Sequence, residues 1–226
     1  MFDLLSDHEA DATLCLKKAC DIQKTRLGDC VESAITLTIL ASQLKNIKDY
    51  DNSEATYEEA IQMLKGLETD TDLARIDAYL GLADLHASRG SFAEALTYYD
   101  HCMEMQRKNL GDCHEDIAHT MFCMAILFQS QDKFAEATVM LSKCLVMQVK
   151  VHGGQNHSSI ADTYDMLAFL EAKQGNLDGS LERLEDALKV RKMNGDELKR
   201  CDTLVNMANL YREVSRDSYF VSCAFC

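Results

Sequence analysis

A chain that restates itself at a fixed interval has few folds open to it, and this one does so five times. Ala41, Ala83, Ala125, Ala168 and Ala208 are spaced 42, 42, 43 and 40 residues apart. Each is third in a matching hexad: ILASQL, GLADLH, CMAILF, MLAFLE and NMANLY. A second block trails the first. RGSFAEALTYYDHCM at 89–103 returns 42 residues on as QDKFAEATVMLSKCL at 131–145. Phe92, Ala93, Glu94, Ala95 and Cys102 thus recur as Phe134, Ala135, Glu136, Ala137 and Cys144. A period of this length marks stacked supersecondary units, each burying its apolar face only against its neighbours.

Within a unit the apolar spacing is helical. Leu73, Ile76, Tyr79, Leu80, Leu82, Ala83 and Leu85 fit a 3.6-residue period over Asp72–Arg89 and do not alternate. Gly90 supplies a stop. Ser91, with Glu94 three residues on, predicts a capping box that opens the next helix through Phe92, Ala95, Leu96, Tyr99, Cys102 and Met105. Asp51 with Glu54, and Gly175-Asn176, punctuate the neighbouring units in the same manner. Proline is absent and only 10 residues are glycine, which favours helices over a turn-rich β fold. The fold class is all-α. Antiparallel helices joined by three or four residues cross closely, so small side chains are expected where they meet. Ala41, Ala83, Ala95, Ala125, Ala137, Ala168 and Ala208 are assigned to this repeat packing. A leucine at such a crossing would overpack it by about 1–3 kcal/mol.

These residues resemble the tetratricopeptide repeat family, whose signature runs aromatic, Leu-Gly/Ala, aromatic, turn Gly, aromatic, then Ala, bulky and Ala. One unit carries it as Tyr79, Leu82, Ala83, His86, Gly90, Phe92, Ala95, Tyr99 and Cys102. The next has Met121, Met124, Ala125, Phe128, Asp132, Phe134, Ala137, Leu141 and Cys144, and the one after has Tyr164, Leu167, Ala168, Glu171, Gly175, Leu177, Ser180, Leu184 and Ala187. A looser version is Leu37, Leu40, Ala41, Leu44, Lys48, Tyr50, Ser53, Tyr57 and Ala60. The 42-residue period exceeds the family's usual one of about 34. With the linkers LGDCHEDIAHT at 110–120 and VHGGQNHSSIADT at 151–163, it is similar to the kinesin light chain type. Glu115 stands where that type has proline, while His157 and Ala161 are kept.

The resemblance, which spans about 10–211, implies a right-handed α-α superhelical solenoid of tetratricopeptide repeats. A single array over 1–214 is expected: a partial unit at 6–29, repeats at about 30–71, 72–113, 114–156 and 157–196, and a final first helix at 197–214. An apolar, cysteine-containing tail would follow at 215–226. First helices of such arrays line a concave binding face. By the family pattern its inward positions include Asp77, Leu80 and Asp84, then His119, Phe122 and Ile126, then Asp162, Asp165 and Phe169, then Asp202 and Asn209. Carboxylates among Phe122, Ile126 and Phe169 suit a protein or peptide segment with basic and apolar side chains. The implied role is a non-catalytic protein–protein interaction scaffold, a kinesin-light-chain-like adaptor. Two alternatives are a regulatory or sensor segment of a larger signalling protein, and a C-terminally prenylated membrane adaptor. The last follows from the ending CAFC, which fits a lipidation box on Cys223.

Charge and composition narrow the partners. The net charge of −14 is spread along the chain, which argues against nucleic acid and against an anionic membrane surface. The opening MFDLLSDHEAD lacks a basic region and a long apolar core, and the apolar run at 34–41 is too short to span a bilayer. A cytoplasmic protein is expected. Ten cysteines include a single CxxC at the end of the chain, which is no zinc framework, so the internal ones are read as small, buried apolar residues. HEDIAH at 114–119 places its histidines five apart. On a helix that spacing turns them about 140° from one another, away from shared coordination. Gly153-Gly154 lacks the Lys-Ser/Thr of a phosphate loop. No catalytic residue, cofactor or metal is expected.

Overall fold

In a computed structural model, the backbone is described for residues 2–67 and 71–224, and side chains for residues 9–67 and 71–213. Ten α-helices make up the described chain, with no strand among the described residues. They fall into two compact units, Met1–Asp112 and Cys113–Cys226. The first holds α1 (Phe2–Arg26), the pair α2 (Val31–Asn46) and α3 (Tyr50–Gly66), and the pair α4 (Asp72–Arg89) and α5 (Phe92–Leu110). The second holds α6 (Glu115–Ser130) with α7 (Phe134–His152), α8 (Ser158–Lys173) with α9 (Leu177–Asn194), and α10 (Glu197–Ala224). The backbone of Cys223 lies in α10, but its side chain is outside the described residues, so the lipidation expectation is untouched by the structure.

Each pair turns through two or three residues, and at the same place in each turn one residue is left-handed. These are Lys48 (φ 64°), Gly90 (φ 84°), Asp132 (φ 56°) and Gly175 (φ 81°). The conformation belongs to the repeat, whether or not glycine fills it. The caps differ from the sequence expectation. Ser91 is the N-cap of α5 but its side chain makes no capping bond; instead its amide donates back to the His86 carbonyl at 2.8 Å, so the turn's own backbone does that work. Asp49, not Asp51, precedes α3, which places Asp51 inside the helix. Asn176 does cap, its Oδ1 accepting from the Gly179 amide at 3.1 Å.

Six of the seven assigned alanines are buried to 1% exposure or less: Ala41, Ala83, Ala95, Ala125, Ala137 and Ala168. Ala125 and Ala137 share one apolar cluster with Leu141, Leu167 and Leu170, so α6, α7 and α8 meet around them. Ala208 is the correction: it is exposed, because α10 packs on α9 and no helix follows α10 among the described residues to cover that face. The repeated cysteine has its own reason. Cys102 Sγ donates to the Ile76 carbonyl at 3.8 Å, and Cys144 Sγ to the Ala118 carbonyl at 3.1 Å, each reaching 26 residues back to the facing helix. Burial pushes these thiols up to about 12 and about 11, so both are held as neutral donors. Gly81 serves a different contact, since a Cβ there would stand 2.4 Å from the buried Tyr57 ring.

Candidate functional site

The expected inward positions fall in both units. In the first, Asp77 is exposed, and Leu80 and Asp84 are half-buried on α4. Asp84 accepts the Tyr99 hydroxyl and lies 3.7 Å from Lys45 Nζ, so its charge is already answered within the unit. In the second, His119, Ile126, Phe169, Asp202 and Asn209 are exposed, while Phe122, Asp162 and Asp165 are half-buried. The structure brings three of these together. Asp165, Phe169 and Asn209 line a cavity of about 370 Å³ between α8, α9 and α10. Its floor is apolar, from Ala168, Leu184 and Leu210, and its rim adds Lys173, Asn206 and Glu213. His119, Phe122, Ile126, Asp162 and Asp202 are not part of it.

The acids of α8 do not face a ligand unopposed. Arg191, on α9 and 3% exposed, reaches Asp162 at 3.0 Å and Asp165 at 2.5 Å. It also donates to the Lys199 carbonyl at 3.0 Å and to the Thr203 hydroxyl. Lys199 Nζ adds a second cation 2.9 Å from Asp162. Burial pushes the Asp165 carboxyl above the usual carboxylate range, and Arg191 pulls it part of the way back. A buried cation flanked by two carboxylates joins α8, α9 and α10, and breaking such a set leaves charge stranded. The sequence pattern marked the two aspartates but gave no sign of Arg191, which sits in a second helix and carries no family signature. What could have found it is the i, i+3 pair Asp162 and Asp165, which places two like charges on one helical turn and so asks for a cation.

The histidines of HEDIAH are separated by role. His114 precedes α6 as its N-cap, Nδ1 accepting from the Asp116 amide at 3.2 Å, while His119 lies on the helix with Cys123 Sγ 3.7 Å from its Nε2. Away from the cavity, one set of metal-competent side chains lies together among the described residues: Glu115, His152 and His157. No helix among the described residues is long and apolar enough to cross a membrane.

Family models described as tetratricopeptide repeat match residues 32–108, 72–148 and 160–196. Among curated proteins, the chain is similar to the Arabidopsis thaliana protein KINESIN LIGHT CHAIN-RELATED 1, 23% identical over 190 residues that cover 84% of this chain and 31% of that protein. The chain therefore spans about a third of the length of this relative. Among solved structures it is similar to BtubC (BKLC) from P. vanneervenii, with a TM-score of 0.76 at 20% identity, covering 93% of this chain and 84% of that one. It is also similar to aspartyl phosphate phosphatase F from Bacillus subtilis, with a TM-score of 0.69 at 12% identity, covering 92% and 55%. At such identities the structural likeness speaks to the all-α repeat fold alone, and that fold carries more than one activity.

Proposed function

The chain belongs to the tetratricopeptide repeat family, and on that premise we propose that it is a non-catalytic scaffold holding a segment of another protein against the exposed faces of its first helices. Its similarity to kinesin light chain-related proteins favours an adaptor over an enzyme. The observation that carries the reading is the cavity between α8 and α10, with an apolar floor and an amide-bearing rim. An apolar side chain of the bound segment fills the floor beside Phe169, which is 41% exposed with Lys173 Nζ 5.4 Å from its ring centre. Asn206 and Asn209 present side-chain amides that can pair with the main chain of an extended or helical segment.

The basic part of the ligand belongs elsewhere than α8. Asp162, Asp165 and Asp84 are already matched by Arg191, Lys199 and Lys45. Glu213, exposed on α10 and lining the cavity, is the carboxylate we assign to a lysine or arginine of the segment, with Asp202 exposed on the same helix outside the cavity. A displayed random-peptide library selected on the full chain tests this. Peptides with an apolar anchor and a neighbouring basic residue are expected, and Phe169→Ala or Asn209→Trp is expected to weaken them at least about tenfold. Peptides that bind both variants unchanged would place the interaction surface somewhere else.

A further inference from the structure

We propose that Glu115, His152 and His157 form a binding site for a divalent transition-metal ion of the zinc, cobalt and nickel class. The three side chains come from three consecutive elements: the first residue of α6, the last of α7 and the N-cap of α8. Each offers one ligand atom, and these atoms all lie within 4.8 Å of one another. His152 Nε2 is 3.8 Å from Glu115 Oε1, and the two imidazoles are stacked with centroids 3.6 Å apart and planes 12° from parallel. Stacked rings hold their in-plane lone pairs side by side, so binding an ion at 2.0–2.2 Å from each donor turns one imidazole out of the stack and closes the set by about 1 Å. The exposed His157 ring and the exposed Glu115 carboxylate are the parts free to make that movement.

A second observation is independent of the clustering. His152 Nε2 is closed from solvent and has no hydrogen-bond partner, an uncommon condition for a buried ring nitrogen and one that a bound ion removes. His157 is supported as ligating histidines usually are. Its Nδ1 lies 2.8 Å from Ser159 Oγ and 3.4 Å from the Ser159 amide, from which it accepts as the N-cap; an ion on Nε2 moves the ring proton to Nδ1, exchanging that capping bond for one donated to the hydroxyl. Left-handed Gly153 (φ 66°) ends α7 and allows the chain to return so soon that His157 lies back on His152. Two imidazoles and one carboxylate suit zinc-class ions rather than magnesium or calcium, and three protein ligands leave a fourth position for water. Bound there, the ion ties α6, α7 and α8 at one point. The sequence had pointed away from metal, because the visible histidine motif was His114 with His119, and the working pair brackets a glycine turn instead.

Cobalt separates this site from the cysteines, which would also take zinc. Titrating the full chain with Co²⁺ is expected to give d–d absorption without a thiolate-to-cobalt charge-transfer band, and Zn²⁺ is expected to displace it. His152→Gln and Glu115→Gln are expected to weaken binding at least about tenfold. His157→Asn should do the same while keeping an N-cap acceptor and an unchanged helical circular dichroism spectrum. A charge-transfer band, no cobalt spectrum, or affinity unchanged in His152→Gln would overturn the proposal. Should the variants fail to fold, Co²⁺-induced line broadening in the unaltered chain decides it. Broadening centred on residues 115, 152 and 157 supports the site; broadening centred elsewhere, or none, removes it.

Discussion

At the scale of single residues, the four turns between paired helices show what is fixed by the fold and what is left to composition. All four hold one residue in the left-handed region, yet only Gly90 and Gly175 are glycines. An L-residue there costs about 1–2 kcal/mol from crowding of Cβ against the following carbonyl. Asp132 is tolerated better, since a short polar side chain bonds locally; Lys48, exposed and with φ 64°, has no such relief. Replacing Lys48 by glycine removes the crowding but frees the unfolded chain, which offsets about 0.5–1 kcal/mol. Lys48→Gly is therefore expected to stabilise the protein by about 0.5–1 kcal/mol, read as a raised unfolding midpoint. The opposite change at Gly90, to lysine, is expected to lower it.

At the scale of elements, closeness between helices is set by alanine only where a second helix is present. Ala125 is 1% exposed inside the cluster that joins α6, α7 and α8, whereas Ala208 occupies the matching place in the sequence and is exposed on α10. Ala125→Leu is expected to destabilise by about 1–3 kcal/mol through overpacking. Ala208→Leu is expected to stay within about 0.5 kcal/mol, as surface changes do. Comparing the two variants by thermal unfolding separates packing from helix propensity, because both changes have the same propensity term. The join of α8, α9 and α10 rests on charge instead. Arg191→Met would leave Asp162 and Asp165 facing one another without the buried cation. The expected loss at neutral pH is about 2–3 kcal/mol, less than for a fully buried pair because Asp162 is partly exposed to water. The sign with pH follows from Asp165. Its folded-state carboxyl is already raised by burial, with Arg191 lowering it, so removing Arg191 raises it further. A raised carboxyl favours the protonated form in the folded state; the penalty is absent below the unfolded value and grows as pH rises through the folded one. The gap between variant and parent should thus narrow as the solution is acidified.

At the scale of the whole molecule, the repeat was legible because its residues are buried by their own neighbours in sequence. Ala83, Ala95 and Cys102 recur 42 residues on as Ala125, Ala137 and Cys144, and all six are nearly or wholly buried. The site was less legible, because a concave position is defined by direction and not by what answers it. Asp165 and Phe169, expected to face inward, line the cavity, but the cation that neutralises Asp165 comes from α9, where no repeat position demands arginine. The pairing of His152 with His157 was equally hidden, being made by a turn that the helical period does not describe. This local character of the contacts has a measurable consequence. In a repeat array, stability is close to a sum of unit terms and nearest-neighbour interfaces, so damage to one interface should open its own helices first. Among the described residues, the partners of Arg191 outside its own helix lie on α8 and α10. Native-state amide exchange of Arg191→Met is expected to lose protection in α8, α9 and α10 while the amides of α2 to α5 exchange as in the parent. Uniform loss of protection across all ten helices would mean that the chain unfolds as one cooperative block, and the additive description would have to be given up.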